Sequence, residues 1–189
     1  MDPILSLSHP LENIFRPHIT HLYKQVLLVI VGVVVLFIAS QLNIPFHPVP
    51  LTFQSAAVVL LGLAYGARLG VATVITYLLA GAYGLPVFAD FTGGVQMFAD
   101  PSVGYLLGFI PAVLITGYLT QKGWGRSITT SFLAATAGII CLFAVGTFTL
   151  ALFVGFHIAY LVGLKPFFIT EPVKLLVVSF IAPRFWKKR

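Results

Sequence analysis

Among five acidic and 11 basic residues in 189, one pair has the spacing for joint chemistry. Glu171 and Lys174 stand three apart inside an apolar run, so on a helix both project from one side. An ionised group in lipid costs at least ~2.5–3.5 kcal/mol on insertion scales, so such groups normally face a protein interior or a watery cavity. Two readings are open. Lys174 can hold a ligand carboxylate while Glu171 accepts N–H donors, or the two form an intrahelical ion pair with Lys174 snorkelling to the headgroups. Asp90 and Asp100 flank Gly93 and Gly94, either closing a small-molecule pocket or standing as solvated loop acids. Gly93 and Gly94 can take positive φ and let a loop backbone approach a ligand closely, as they can in any tight turn.

Other chemistries find no constellation. His9, His18, His21, His47 and His157 show no metal-ligand spacing, and the single cysteine, Cys141, reads as a small core residue. His157 lies in an apolar stretch and reads as structural. The sequence has no G-x-x-x-x-G-K-[ST], H-E-x-x-H or G-x-S-x-G. The expectation is therefore a non-enzyme without metal or cofactor.

The elements that position these residues are greasy. The chain is 59% hydrophobic and 8% charged, with a mean hydropathy of +1.02, whereas soluble domains carry about 25% charge. That excludes a water-soluble monomer and points to an all-α integral membrane bundle in a lipid bilayer. Basic residues flank apolar runs rather than lining one soluble face, which argues against a nucleic-acid partner. Residues 1–21, with Pro3, Pro10 and Pro17, form an N-terminal cytoplasmic or interfacial segment. Residues 22–189 form the membrane domain, with spans expected at 22–42, 51–65, 69–83, 103–119, 128–152 and 169–182. A helix through the uncharged stretch 127–164 would run to roughly 57 Å, far beyond one crossing.

Charge decides the count. Six spans with both termini cytoplasmic leave Arg16, Lys24, Arg68, Lys122, Arg126, Arg184, Lys187, Lys188 and Arg189 inside and only Lys165 and Lys174 outside. That is the positive-inside pattern; a seventh span would export the basic tail. Asp90, Asp100, Glu171 and the Pro-rich loop 43–50 then converge on the outer side. Gly62, Gly66 and Gly70, like Gly104 and Gly108, recur every four residues and allow close helix packing.

Three ordered runs carry a resemblance: Pro48-Val49-Pro50-Leu51-Thr52-Phe53-Gln54, Gly84-Leu85-Pro86-Val87-Phe88-Ala89 with Gly93-Gly94, and Gly104-Tyr105-Leu106-Leu107-Gly108-Phe109. The chain resembles the BioY family of biotin transporters, S components of energy-coupling-factor transporters, over nearly all of the expected bundle. The resemblance implies a six-helix S-component fold, a biotin pocket near the outer face and a lid role for loop 43–50. It also implies a membrane coupling protein and an ATPase pair as partners, and residence in the cytoplasmic membrane. Within it, Lys174 would hold the biotin carboxylate, and Glu171 or Asp100 the ureido N–H groups. Phe88 and Tyr105 would wall the apolar part, with Gly94, Ser102 and Gly104 in the same loop and helix start. The family usually has Pro-Thr-Gly-Gly-Tyr where this chain has Pro101-Ser102-Val103-Gly104-Tyr105, and Gly-Asp where it has Thr170-Glu171. The first helix in this superfamily typically presents alanines four apart to the coupling protein, whereas the corresponding face here has Gly32, Leu36 and Ser40 among bulky Val33–Val35 and Phe37. A facilitator working alone, or an S component for another vitamin-like solute, is the competing reading.

Overall fold

The computed structural model describes residues 21–45 and 48–186. The expectations for the N-terminal segment, the tip of the Pro-rich loop and the last three basic residues lie outside that set. Helix α1 (His21–Gln41) is an unbroken Val/Leu/Ile-rich run. It ends where Asn43 and Pro45 change the backbone preference, and β1 (Asn43–Ile44) pairs antiparallel with β2 (Leu51–Thr52). Three prolines in and around this hairpin forbid a helix there.

Helix α2 (Gln54–Ala82) is continuous in sequence but folds back at Gly66, whose φ of 75° and ψ of −177° only glycine adopts comfortably. Gln54 Nε2 donates to Tyr77 Oη at 2.6 Å, although 23 residues of straight helix would separate them by about 34 Å. The bend thus divides α2 into antiparallel arms, 54–65 and 67–82. Gly62 and Gly70 meet across it: a Cβ on Gly70 would lie 3.8 Å from Gly62 Cα. Trp186 Nε1 donates to Leu63 O at 3.1 Å, next to the bend.

Helix α3 (Val103–Gln121) and helix α4 (Ile128–Val154) follow, the latter capped by Ser127 Oγ, which accepts from Thr130 N. Among the described residues, four helices, α1 to α4, are long and apolar enough by length and composition to cross a membrane. Gly155, at φ 84°, reverses the chain into α5 (Phe156–Ala159), a π-turn (Tyr160–Leu164) and α6 (Phe167–Ile181). Phe143 and Phe167 each stand 12 residues from Gly155, yet their rings are 4.8 Å apart. α4 and the α5–α6 stretch are therefore the arms of a second hairpin. Its last helical arm starts at Phe156, well before the expected start at 169. Glu171 consequently lies roughly 22 Å along that arm at ~1.5 Å per residue, instead of one turn into it.

Leu36, Val58, Val59, Val74, Ala112, Val113, Ala134, Ala135 and Leu150 are fully buried where these helices meet. Glycine allows the closest approaches: a Cβ on Gly108 would sit 2.9 Å from Leu142 O. Val26, Ile30, Val34 and Ile38 of α1 face outward. Gly32, Leu36 and Ser40 do not. They are buried, Gly32 against Tyr65 and Thr73, and Ser40 with its hydroxyl on Val87 O at 2.9 Å. The face of α1 that would correspond to a docking surface is thus turned into the bundle, with Gly32 against α2 and Ser40 against the α2–α3 connection. Two smaller expectations also fail: Cys141 is only half-buried, and His157 is exposed on α5.

Candidate binding cavity

The connection between α2 and α3 is folded down onto the bundle by hydrogen bonds from two helices. Tyr77 Oη and Ser40 Oγ both donate to Val87 O, at 2.7 and 2.9 Å. Gln41 Nε2 donates to Phe88 O at 2.9 Å. These bonds press Phe88 into the interior, where it is 2% exposed and meets Tyr77 and Phe98 edge to face. Gly81 makes room for it, since a Cβ there would run into the Phe88 ring.

Beneath this connection lies a cavity of about 230 Å³. Small-molecule sites span roughly 300–1,000 Å³, so this one suits a compact solute. Phe88, Tyr105, Phe109, Leu142, Phe143 and Phe167 supply apolar walls, and Pro48, Val49 and Pro50 approach from the hairpin. Thr52, Gln54, Ser55, Asp90, Asp100 and Ser102 add polar groups. Tyr105 stacks on Phe167, and its hydroxyl donates to Gly163 O at 2.8 Å, tying the wall to the π-turn.

Of the residues singled out from sequence, Phe88, Asp100, Ser102 and Tyr105 line this cavity. Asp100 Oδ1 accepts from Ser102 N at 2.8 Å and Ser102 Oγ at 2.6 Å, so one carboxylate oxygen organises the start of α3. Asp90 also lines the cavity and accepts from Asn43 Nδ2 at 3.2 Å, joining the hairpin to the α2–α3 connection. Gly94 and Gly104 do not line it. Gly94 donates its N–H to Gly81 O at 2.7 Å, and Gly104 packs against the Thr149 side chain.

Glu171 and Lys174 are both buried, at 4% and 8% exposure, and ion-paired. Lys174 does not snorkel. Its Nζ donates to Thr52 O at 2.8 Å, to Ser55 Oγ at 3.0 Å and to Glu171 Oε1, which uses all three ammonium protons. Ser55 Oγ also donates to Glu171 Oε1 at 2.9 Å. The pair does not itself line the cavity; Thr52 and Ser55, its partners, do. The positive charge therefore sits directly behind the polar wall.

Gln54, Ser55 and Thr52 went unassigned from sequence, although two polar residues opening the apolar run at 54 were a visible signal. Gln54 accepts from Thr52 Oγ1 at 3.3 Å and donates to Tyr77 Oη, which fixes the orientation of its amide. Among the described residues no cluster of metal-ligating side chains occurs.

The bundle, with a solute-sized cavity closed on one side by two connecting segments, has the fold of a transporter substrate-binding component. The crystal structure of the S component for biotin from an ECF-type ABC transporter superposes with a TM-score of 0.80, covering 91% of this chain and 96% of that one at 22% identity. The BioY family model matches residues 12–189. The biotin transporter BioY of Thermotoga maritima is 38% identical over 79% of this chain and 88% of its own length. The probable biotin transporter BioY of Pyrococcus horikoshii is 35% identical over 85% and 95%. The chain belongs to the BioY family.

Proposed function

We propose that the chain is the biotin-capture S subunit of an energy-coupling-factor transporter, taking biotin from outside and releasing it inside. The observation that carries this reading is the cavity's division of labour. Six apolar and aromatic side chains suit a thioether ring and an alkyl chain, while carboxylate, amide and hydroxyl groups stand at its edges. The Asp100 carboxylate, which lines the cavity, would accept ureido N–H groups. A ligand carboxylate reaching Ser55 would accept the hydroxyl hydrogen bond that Glu171 Oε1 now receives, and would draw on Lys174 one hydrogen bond behind, with Glu171 still paired to that lysine.

The chain would cross the cytoplasmic membrane six times: α1, the two arms of α2, α3, α4 and the α5–α6 stretch. Both termini would be cytoplasmic, consistent with the exposed Arg68, Lys122, Arg126 and Arg184 at one end. A membrane coupling protein and a pair of ATPase subunits would supply the energy.

The test is a calorimetric titration of the detergent-purified chain with biotin and with biotinol, which lacks the carboxylate. Tight biotin binding with at least a tenfold loss for biotinol, about 1.4 kcal/mol, is expected. No binding heat from folded protein would refute biotin as the solute.

A further inference from the structure

Gln54 and Ser55 are neighbours at the start of α2, both are buried, and both line the central cavity. They are nevertheless held from different sides. Ser55 is bonded to the Glu171–Lys174 pair of α6. Gln54 is bonded to Tyr77 of the second α2 arm, whose hydroxyl also holds the α2–α3 connection at Val87 O. One polar part of the wall is thus backed by charge, and the part at Gln54 is neutral.

The direction of the Gln54 amide follows from its partners. Val87 O can only accept, so the single Tyr77 hydroxyl proton is spent there, at 2.7 Å. Tyr77 Oη must then accept from Gln54 Nε2, at 2.6 Å, while Gln54 Oε1 accepts from Thr52 Oγ1 at 3.3 Å. A carboxamide carries two N–H donors and two acceptor positions. Tyr77 and Thr52 use one of each. One N–H and one lone pair remain on a side chain that is 4% exposed and lines the cavity. Asp100 is likewise half used: Oδ1 accepts from both Ser102 N and Ser102 Oγ, which leaves Oδ2.

We infer that Gln54 is the specificity residue for the neutral end of the solute, pairing with the HN–C=O edge of a cyclic urea, and that Tyr77 is the positioning residue that sets its amide. The inference rests on the capture of biotin proposed above. The hydrogen-bond count closes on that group. The urea carbonyl takes the remaining Gln54 N–H, Gln54 Oε1 takes one urea N–H, and Asp100 takes the second. A ligand carboxylate suits Gln54 poorly, because it brings no proton to Oε1 and leaves that acceptor unpaired beside an anion. It suits Ser55, one hydrogen bond from Lys174.

The test titrates the detergent-purified full chain with biotin and with 2-iminobiotin, whose C=NH group replaces the urea carbonyl and is protonated at neutral pH. That group donates where the carbonyl accepts, so it opposes the free Gln54 N–H. The parent chain should bind it at least about tenfold more weakly than biotin. Gln54→Met has similar length and no amide. It should weaken biotin about tenfold and keep the parental biotin-to-biotinol ratio, since the carboxylate end is untouched. Gln54→Glu offers a carboxylate to the iminobiotin cation, a charge-assisted pair, and should shift the biotin-to-iminobiotin ratio about tenfold or more toward iminobiotin. Tyr77→Phe leaves Val87 O bonded to Ser40 Oγ but frees the amide to turn over, and should shrink that ratio severalfold; a packing role alone would not move it. Parental biotin affinity in folded Gln54→Met, or a parental biotin-to-iminobiotin ratio in Gln54→Glu, would overturn the role of Gln54 while biotin capture stands. A parental ratio in Tyr77→Phe would overturn the role of Tyr77. A parent chain that binds no biotin would overturn the inference together with the reading it rests on.

Discussion

Replacing Lys174 by methionine removes the charge and keeps most of the side-chain length. Three hydrogen bonds are lost, to Thr52 O, Ser55 Oγ and Glu171 Oε1. Glu171, 4% exposed, is left with Ser55 as its one donor, and Oε2 already has none. Removing one partner of a buried pair costs roughly 3–5 kcal/mol, because the remaining charge stays uncompensated. For chains of this size each kcal/mol moves the melting point by ~2–4 °C, so the variant should melt about 6–20 °C lower. Replacing both partners, Glu171→Leu with Lys174→Met, leaves no orphaned charge and should recover most of the loss. Tryptophan fluorescence during a thermal ramp reads this directly, since Trp186 is docked on Leu63 and is released on unfolding. A Lys174→Met variant that melts within ~2 °C of the parent, or a double variant no more stable than the single, would refute the buried-pair argument. The double variant also isolates function: it should be folded and yet bind biotin at least tenfold more weakly, about 1.4 kcal/mol. Parental affinity in that background would remove Lys174 from the site.

Two further outcomes follow from the backbone. Gly66→Ala forces a side chain onto φ 75° and ψ −177°, a strain of ~1–3 kcal/mol, and should lower the melting point by roughly 2–12 °C; an unchanged melt would contradict the fold-back. Gly81→Ala drives a methyl into the Phe88 ring and should weaken biotin binding about tenfold, ~1.4 kcal/mol, by moving that wall. Adding Phe88→Leu should relieve the clash and restore the melting point, and a Gly81→Ala chain with full affinity would count against Phe88 as a wall.

The membrane class, the loops near the site and the residues of chemical interest were legible in the sequence, because each is a property of a residue and its near neighbours. Mean hydropathy needs no partner, and prolines at 45, 48 and 50 break a helix wherever they stand. Spacing put Glu171 and Lys174 on one side of a helix, Asp100 stood out as an acid beside a glycine pair, and Phe88, Tyr105 and Ser102 came with the family resemblance. What surrounds them was not legible. Lys174 is saturated by Thr52 and Ser55, more than 100 residues away, and no local pattern encodes that. The turn at Gly66 placed Gln54 beside Tyr77, whereas glycines four apart gave only the general hint of close packing. Gly155 reversed the chain before an unexpectedly early helix, which moved Glu171 deep along its arm and behind the cavity wall rather than into the cavity. Gly32, Leu36 and Ser40 share a helix face by spacing, but only packing against α2 decided that the face turns inward. Local chemistry is carried by the chain itself; which groups meet, and which atom is left without a partner, depends on how two glycine-hinged hairpins close against each other.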